Sequence, residues 1–282
     1  MKLLSLNATD GGTRLYPRFF SRLGDLAPDV VTLQEMRRQQ VGYWRRGLAE
    51  RGYQVVDSFE LADRFGVALD GGFRLDGLLL ASRWPFEVLD PTRWDLPWPE
   101  RALSAVVAGP GGKFAVHTVH VPNASTGITL YRKDREAGAD RLAKKTETFE
   151  GVFAGLAESP ELPKVLTGDF NTPRFERPDG EVGYWEESCP AALRPVLRDR
   201  WLAAERNVIQ GLGKYGMYDV FRGLHGYERE AFSWEATNKV SRYRYDHVFA
   251  SEVFKPVACE YLHEFRLNSS HHAGILADLE LR

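Results

Sequence analysis

Cysteine is nearly absent from this 282-residue chain. Cys189 and Cys259 are the only two, so at most one intramolecular disulfide is possible, and their spacing offers no metal-binding motif. A disulfide-stapled secreted scaffold is thereby excluded, and a reduced, cytoplasmic setting is the expectation. Long apolar runs are missing as well. The longest aliphatic stretch, Leu78-Leu79-Leu80-Ala81, is far too short to cross a bilayer. The opening Met1-Lys2-Leu3-Leu4-Ser5-Leu6-Asn7 is interrupted at Ser5 and makes no signal-peptide core. No membrane segment is expected, and no protein partner is evident. An excess of one charge sign is the third absence: 37 Lys and Arg stand against 39 Asp and Glu, a formal −2. That argues against a uniformly basic nucleic-acid coat and leaves a local basic patch open. No repeat, low-complexity tract or linker interrupts the chain. With 43% hydrophobic residues there is enough apolar material for a substantial core, and residues 1–282 read as a single domain.

Short β-rich runs alternate with helical stretches. Leu3 to Asn7, Val30 to Leu33, Tyr53 to Val56, Leu78 to Ala81, Ala102 to Val107 and Phe114 to His120 read as strands. So do Leu166 and its neighbours, Tyr245 to Ala250, Val257 to Leu262 and Ile275 to Leu281. Leu15 to Leu26, Gln39 to Arg51, Thr129 to Leu156 and Ala191 to Glu205 read as helices, the second stopped by Gly52. The pattern predicts an α/β or α+β layered fold, with turn-rich loops over Asp90 to Arg101 and Thr172 to Glu187 bordering a site.

Polar side chains recur where the apolar runs end: Asn7, Glu35, His120 with Asn123, Asp169 with Asn171, and Asp246. Asp169 and Asn171 are two apart, so in an extended segment they share a face. One can activate a water while the other holds developing negative charge, a pairing suited to hydrolysis at phosphorus. His117 is three residues from His120 and falls on the opposite strand face; His247 points away from Asp246. Both read as structural.

Taken in order, Leu6-Asn7, Leu33-Gln34-Glu35, Val119-His120-Val121-Pro122-Asn123, Gly168-Asp169-Phe170-Asn171, Arg244-Tyr245-Asp246-His247 and Ser270-His271-His272 resemble the landmarks of the endonuclease/exonuclease/phosphatase superfamily. That group includes AP endonucleases, DNase I-like nucleases, inositol-phosphate phosphatases and sphingomyelinases. The landmarks run from residue 7 to residue 272. The resemblance implies a four-layer α/β sandwich, two packed mixed β-sheets flanked by helices, with the site at one edge. It implies Mg²⁺ or Mn²⁺ held by Asn7, Glu35 and Asp246, and catalysis by Asp169, Asn171, His272, His120 and Asp246. Phosphate contacts are expected from Asn123, Arg132 and Arg244, and backbone-phosphate contacts from the helix bearing Tyr131, Arg132 and Arg135; the local run of Arg132, Lys133 and Arg135 favours a nuclease. Trp94 to Trp98 offers aromatics for stacking on bases. The implied activity is a metal-dependent phosphoesterase acting on phosphodiesters in DNA, RNA or a small molecule. The alternatives are a phosphomonoesterase of the same group and a non-catalytic binding protein.

One landmark departs from the pattern. The superfamily ends in Ser-Asp-His, whereas this chain has His271 where the acid is expected. Two registers are open, and the run Ala273-Gly274-Ile275 into the last strand favours His272 as the catalytic histidine. On this reading its carboxylate is missing. The expectation is then weaker or alkaline-shifted activity, or a second metal bound by the histidine pair.

Overall fold

The computed structural model describes residues 1–69, 75–123, 135–158, 161–236, 240–266 and 270–282. The first half runs β1 (Lys2–Asn7), α1 (Tyr16–Leu26), β2 (Val30–Arg37), α2 (Val41–Ala49), β3 (Gln54–Asp57), α3 (Ser58–Phe65), β4 (Asp76–Ser82), β5 (Phe86–Val88), β6 (Ala102–Gly109) and β7 (Gly112–His120). The second half adds α4 (Arg135–Glu158), β8 (Lys164–Asp169), the β9 (Phe175–Glu176) and β10 (Val182–Gly183) hairpin, α5 (Asp199–Ile209), β11 (Met217–Asp219) and α6 (Val220–His225). It closes with a second hairpin, β12 (Trp234–Glu235) and β13 (Arg242–Tyr243), then β14 (Asp246–Ser251), β15 (Phe254–Leu262) and β16 (Gly274–Leu281).

Two six-stranded mixed sheets result, ordered β15-β16-β1-β2-β4-β3 and β11-β14-β8-β7-β6-β5. Period-two alternation assigns each strand's faces. Leu3, Val30, Leu78 and Leu80 of the first sheet meet Val116, Val165 and Val248 of the second in one buried cluster. The alternate residues Leu4, Leu6, Val31 and Leu33 face outward under Phe19 and Leu23 of α1 and Trp44 and Leu48 of α2. On the other side Val119, Leu166 and Phe249 are covered by Phe149 and Val152 of α4 and Ala204 and Val208 of α5. The four-layer sandwich implied by the sequence is therefore the observed architecture. Among the described residues no helix is long and apolar enough to cross a membrane, and both cysteines are buried and unpaired.

Several boundaries differ from the sequence reading. The strand expected to stop at Leu33 continues to Arg37 because Gln34 is buried between the sheets, bonding Ser5 Oγ and Thr118 Oγ1 at 3.1 Å each. The short helix α3 follows β3 directly, capped by Asp57 accepting from the backbone N–H groups of Phe59 and Glu60. Trp94, offered above as a stacking residue, is buried against His117 with ring centroids 4.9 Å apart. Its indole fills the space left by Gly155, so it belongs to the core.

Gly168 precedes Asp169 with φ at +138°, and a Cβ there would lie 1.9 Å from Val119 O. No side chain fits between β7 and β8 at this point. Gly168→Ala is expected to destabilise the fold by more than about 3 kcal/mol, read from the denaturant midpoint. An unchanged midpoint would show that β7 and β8 can separate freely here.

Candidate active site

Strand register assembles the centre. His120 on β7 and Asp246 on β14 both lie directly opposite Asp169 on β8, so the three share one row across the second sheet. All three are on the inter-sheet face, as is Asn7 at the end of β1. The Asn7 Nδ2 donates to Asp169 Oδ2 at 2.8 Å and to Glu35 Oε1 at 3.0 Å, joining the two sheets. Glu35 reaches this cluster through a bulge. Between Leu33 and Met36, β2 carries one residue more than its partner β4, and Glu35 takes φ +56°. Thr9, Asp10 and Asn171 also adopt positive φ, at +44°, +53° and +50°. For a β-branched residue such as Thr9 this conformation is a strained one. Four non-glycine residues around one centre thus hold backbone strain, which costs about 1–3 kcal/mol each and persists where surrounding structure over-determines it.

Asp169 is the buried hub. Its Oδ1 accepts Asn171 N at 2.9 Å, and its Oδ2 accepts Asn171 Nδ2 at 3.2 Å in addition to Asn7. Burial pushes its pKa up, Asp246 and Glu35 add to this, and His272 and the Asn171 N–H oppose it. The net direction is upward, which makes it a better base than an exposed carboxylate. His272 lies opposite, its Nε2 3.8 Å from Asp169 Oδ2.

The carboxylate read as missing beside His272 is present. Asp246 Oδ2 lies 2.8 Å from His272 Nδ1, and both side chains are buried. The acid comes from a strand 26 residues earlier in the chain rather than from the adjacent position. Burial alone would lower the basicity of His272, but Asp246 and Asp169 more than offset it and raise its pKa to about 9. His271 is exposed, with its backbone N–H 3.4 Å from Thr9 Oγ1. The expectation of activity weakened by a missing acid is withdrawn on this geometry.

His120 stands on the other side, its Nε2 3.8 Å from Glu35 Oε1 and 3.9 Å from Asp169 Oδ2. Its Nδ1 is 3.0 Å from Arg101 Nη1. A guanidinium can only donate, so His120 Nδ1 must accept and Nε2 must carry the proton. Burial, together with Arg101, keeps the ring neutral, well below the ordinary imidazole pKa. His120 is thereby a fixed hydrogen-bond donor aimed between two carboxylates.

Other expected residues fall elsewhere. Arg244, expected at a substrate phosphate, lies between β13, which ends at Tyr243, and β14, which begins at Asp246. Its guanidinium is buried behind the site, bound to Glu176 at 2.7 Å and to Asp219 at 2.8 Å. It is a structural anchor and not a phosphate contact. Asn123 follows β7 with its carbonyl held by Arg141 Nε at 3.0 Å. Tyr131, Arg132 and Lys133 lie outside the described residues, as does the side chain of Arg135. Asn7 presents its amide nitrogen to both carboxylates, while its Oδ1 accepts Thr9 N at 2.9 Å. Its place is as a donor bridging Glu35 and Asp169, which corrects the expectation of an oxygen ligand.

Sequence reading missed the support beneath Asn171. Lys145 and Glu205 are buried and paired at 3.1 Å, and Lys145 Nζ also donates to Asn171 O at 3.0 Å. One residue on, Thr172 O lies 3.0 Å from His247 Nε2. Lys145 and His247 thus hold consecutive carbonyls of the turn that carries Asn171. Lys145→Met should cost about 3–5 kcal/mol by leaving Glu205 buried and unpaired. Lys145→Met with Glu205→Gln should recover most of that loss in thermal denaturation. A double variant as unstable as the single one would refute the pairing argument.

Among the described residues, two clusters bring ligand-type atoms together, Glu35, His120 and Asp169, and Asp169, Asp246 and His272; with His120 Nε2 protonated and His272 charged, the carboxylates are the donors left to hold a metal ion. In each, ligand atoms lie within 4.8 Å of one another. Asp246 Oδ1 is buried without a hydrogen-bond partner, an acceptor left over for a cation or water. Glu35 is the partly exposed member, with side-chain accessibility of 23%, and offers carboxylate oxygens toward solvent. Hard oxygen donors in a small cluster suit a hard divalent cation.

The sequence pattern of the Endonuclease/Exonuclease/phosphatase family matches residues 16–271. A search of curated proteins by sequence gives no match. Among solved structures, a variant of the 3' phosphatase NExo from Neisseria bound to product DNA hairpin is similar with a TM-score of 0.67 at 20% identity, covering 99% of both chains. An AP endonuclease from Archaeoglobus fulgidus gives 0.66 at 19% identity, again over 99% of each chain. TDP2 from D. rerio complexed with single strand DNA product gives 0.62 at 19% identity, over 99% of this chain and 98% of that one.

Proposed function

This chain belongs to the Endonuclease/Exonuclease/phosphatase family, and on that footing we propose that it cleaves phosphodiesters by attack of a water that Asp169 activates. The observation that carries this reading is the setting of Asp169: a buried carboxylate ringed by the donors of Asn7, Asn171, His120 and His272. Mg²⁺ or Mn²⁺ at Glu35 would neutralise phosphate charge and stabilise the leaving oxygen.

The residues divide the remaining work. Asp169 takes the proton of the attacking water, helped by its raised basicity. His272, held charged by Asp246, and neutral His120, held in one tautomer by Arg101, donate to phosphate oxygens as negative charge grows. Asn7 and Asn171 fix the Asp169 carboxylate and favour the crowded transition state through dipoles already in place. DNA fits as the substrate, in keeping with the DNA-bound relatives, and RNA or a small phosphodiester satisfies the same chemistry. The phosphomonoesterase alternative draws support from the 3' phosphatase likeness. The non-catalytic alternative rested on a missing acid and loses that support with the Asp246–His272 pair.

The test uses bis-p-nitrophenyl phosphate, p-nitrophenyl phosphate and plasmid DNA, each with Mg²⁺, Mn²⁺ and excess chelator. Turnover of the diester and of DNA that chelator abolishes and added cation restores is the expected result. Faster release from the monoester would favour the phosphomonoesterase. Folded protein silent on all three with either cation would overturn the proposal.

A further inference from the structure

Beside the catalytic centre lies a cavity of about 550 Å³ that the mechanism above does not use. It shares its wall with that centre. Thr9 N donates to Asn7 Oδ1 at 2.9 Å, Asp10 N to Glu35 Oε2 at 3.1 Å, and Ser270 Oγ to Asn7 O at 3.0 Å. The residues that brace Asn7 and Glu35 on one side therefore line the cavity on the other.

The lining is polar and cationic. Arg14 and His271 both border it and are exposed, and neither side chain has a hydrogen-bond or ion-pair partner among the described residues. Arg266 contributes a second guanidinium; Glu235 engages its Nη1, but its Nε is buried with no partner among the described residues. The carboxylate in the lining, Asp10, is already paired with Arg37. The hydroxyls of Thr9 and Ser270 are already engaged, Thr9 Oγ1 with Ser270 Oγ at 2.9 Å and Ser270 Oγ on Asn7 O, so the donors open to the cavity are those of the guanidinium and imidazole groups. Planar guanidinium groups are the usual partners of phosphate oxygens.

We propose that this cavity binds a second phosphate of the substrate, next to the scissile one. Resting on the phosphodiesterase reading, the inference names the preferred substrate as one carrying a neighbouring phosphate. Either a nucleic-acid backbone or a small bisphosphate would supply it. His271 then serves as a phosphate donor at a position where an acid would repel that group.

Two esters differing in one group separate the possibilities: thymidine 5'-(p-nitrophenyl phosphate) with and without a 3'-phosphate. The 3'-phosphate should lower KM by about tenfold or more, in line with one or two charge-assisted hydrogen bonds. Arg14→Ala should erase that advantage while leaving KM for the unphosphorylated ester unchanged, and His271→Ala should reduce it. Calorimetric binding of thymidine 3',5'-bisphosphate against thymidine 5'-monophosphate should show the same Arg14 dependence. An oligothymidylate assayed alongside identifies the source: Arg14 dependence greater than that of the bisphosphate ester points to the nucleic-acid backbone, and equal dependence to a small bisphosphate. Equal KM values for the two esters, or an Arg14→Ala loss shared by both, would overturn this inference and leave the phosphodiesterase reading intact. If neither ester is hydrolysed, the activity reading fails, and the calorimetry alone decides whether the cavity binds phosphate.

Discussion

Asp169→Asn should lower turnover by about 10³-fold or more, at the upper range of what a positioned general base contributes. Asn cannot take a proton from water at neutral pH, and no other carboxylate among the described residues stands at the same point. Glu35 is bridged to it by Asn7, and Asp246 is committed to His272. The fold should survive the change. Removing a buried carboxyl relieves a desolvation cost, while an amide NH₂ facing the Asn7 and Asn171 donors adds a polar conflict of opposite sign. Comparison of kcat with the thermal midpoint separates the two effects. Retention of more than about a tenth of the wild-type kcat would mean that the water is activated elsewhere.

Asp246→Asn is expected to be the second most damaging substitution. In the serine-protease triad, neutralising the acid behind the histidine costs about 10⁴ in turnover. We expect about 10² here, because Asp169 also faces the imidazole and a bound cation would share the stabilisation. The pH profile is the more specific readout. His272 has its pKa raised to about 9, so activity that needs the imidazolium is complete below that value and is lost as pH rises through it. Without Asp246 the burial that opposes protonation is no longer offset as fully. The alkaline limb should therefore move down, toward or below the ordinary histidine value of about 6.5. A limb that stays in place would mean that His272 does not act as a cation.

Much of this centre was legible in the sequence because strands write their faces at period two. Asn7, His120 and Asp169 end apolar runs on the inter-sheet face, and the order of the landmarks implied the four layers. What stayed hidden depends on departures from regularity or on distant partners. Glu35 is aimed by a bulge, which periodicity cannot register. Arg244 failed as a phosphate contact because its buried pairing with Glu176 and Asp219, both distant in sequence, cannot be read from its position in the chain. The acid for His272 was sought next door in sequence when register on a separate strand supplies it. Lys145 sits in a helix that resembles a solvated, charged one, and only the packing of α4 against α5 reveals its buried pair with Glu205.

The tie between Ser270 Oγ and Asn7 O spans 263 positions of sequence. The strand that carries Asn7 lies inside its sheet, between β2 and the late strand β16. During synthesis β1 is made early and waits with one hydrogen-bonding edge open until β16 has emerged. Contacts of such long sequence separation form late and slowly. The histidine that completes the centre arrives with the same closing segment. A chain truncated before β16 should therefore be unable to cut a phosphodiester, and onset of activity should report completion of the fold rather than formation of any one layer.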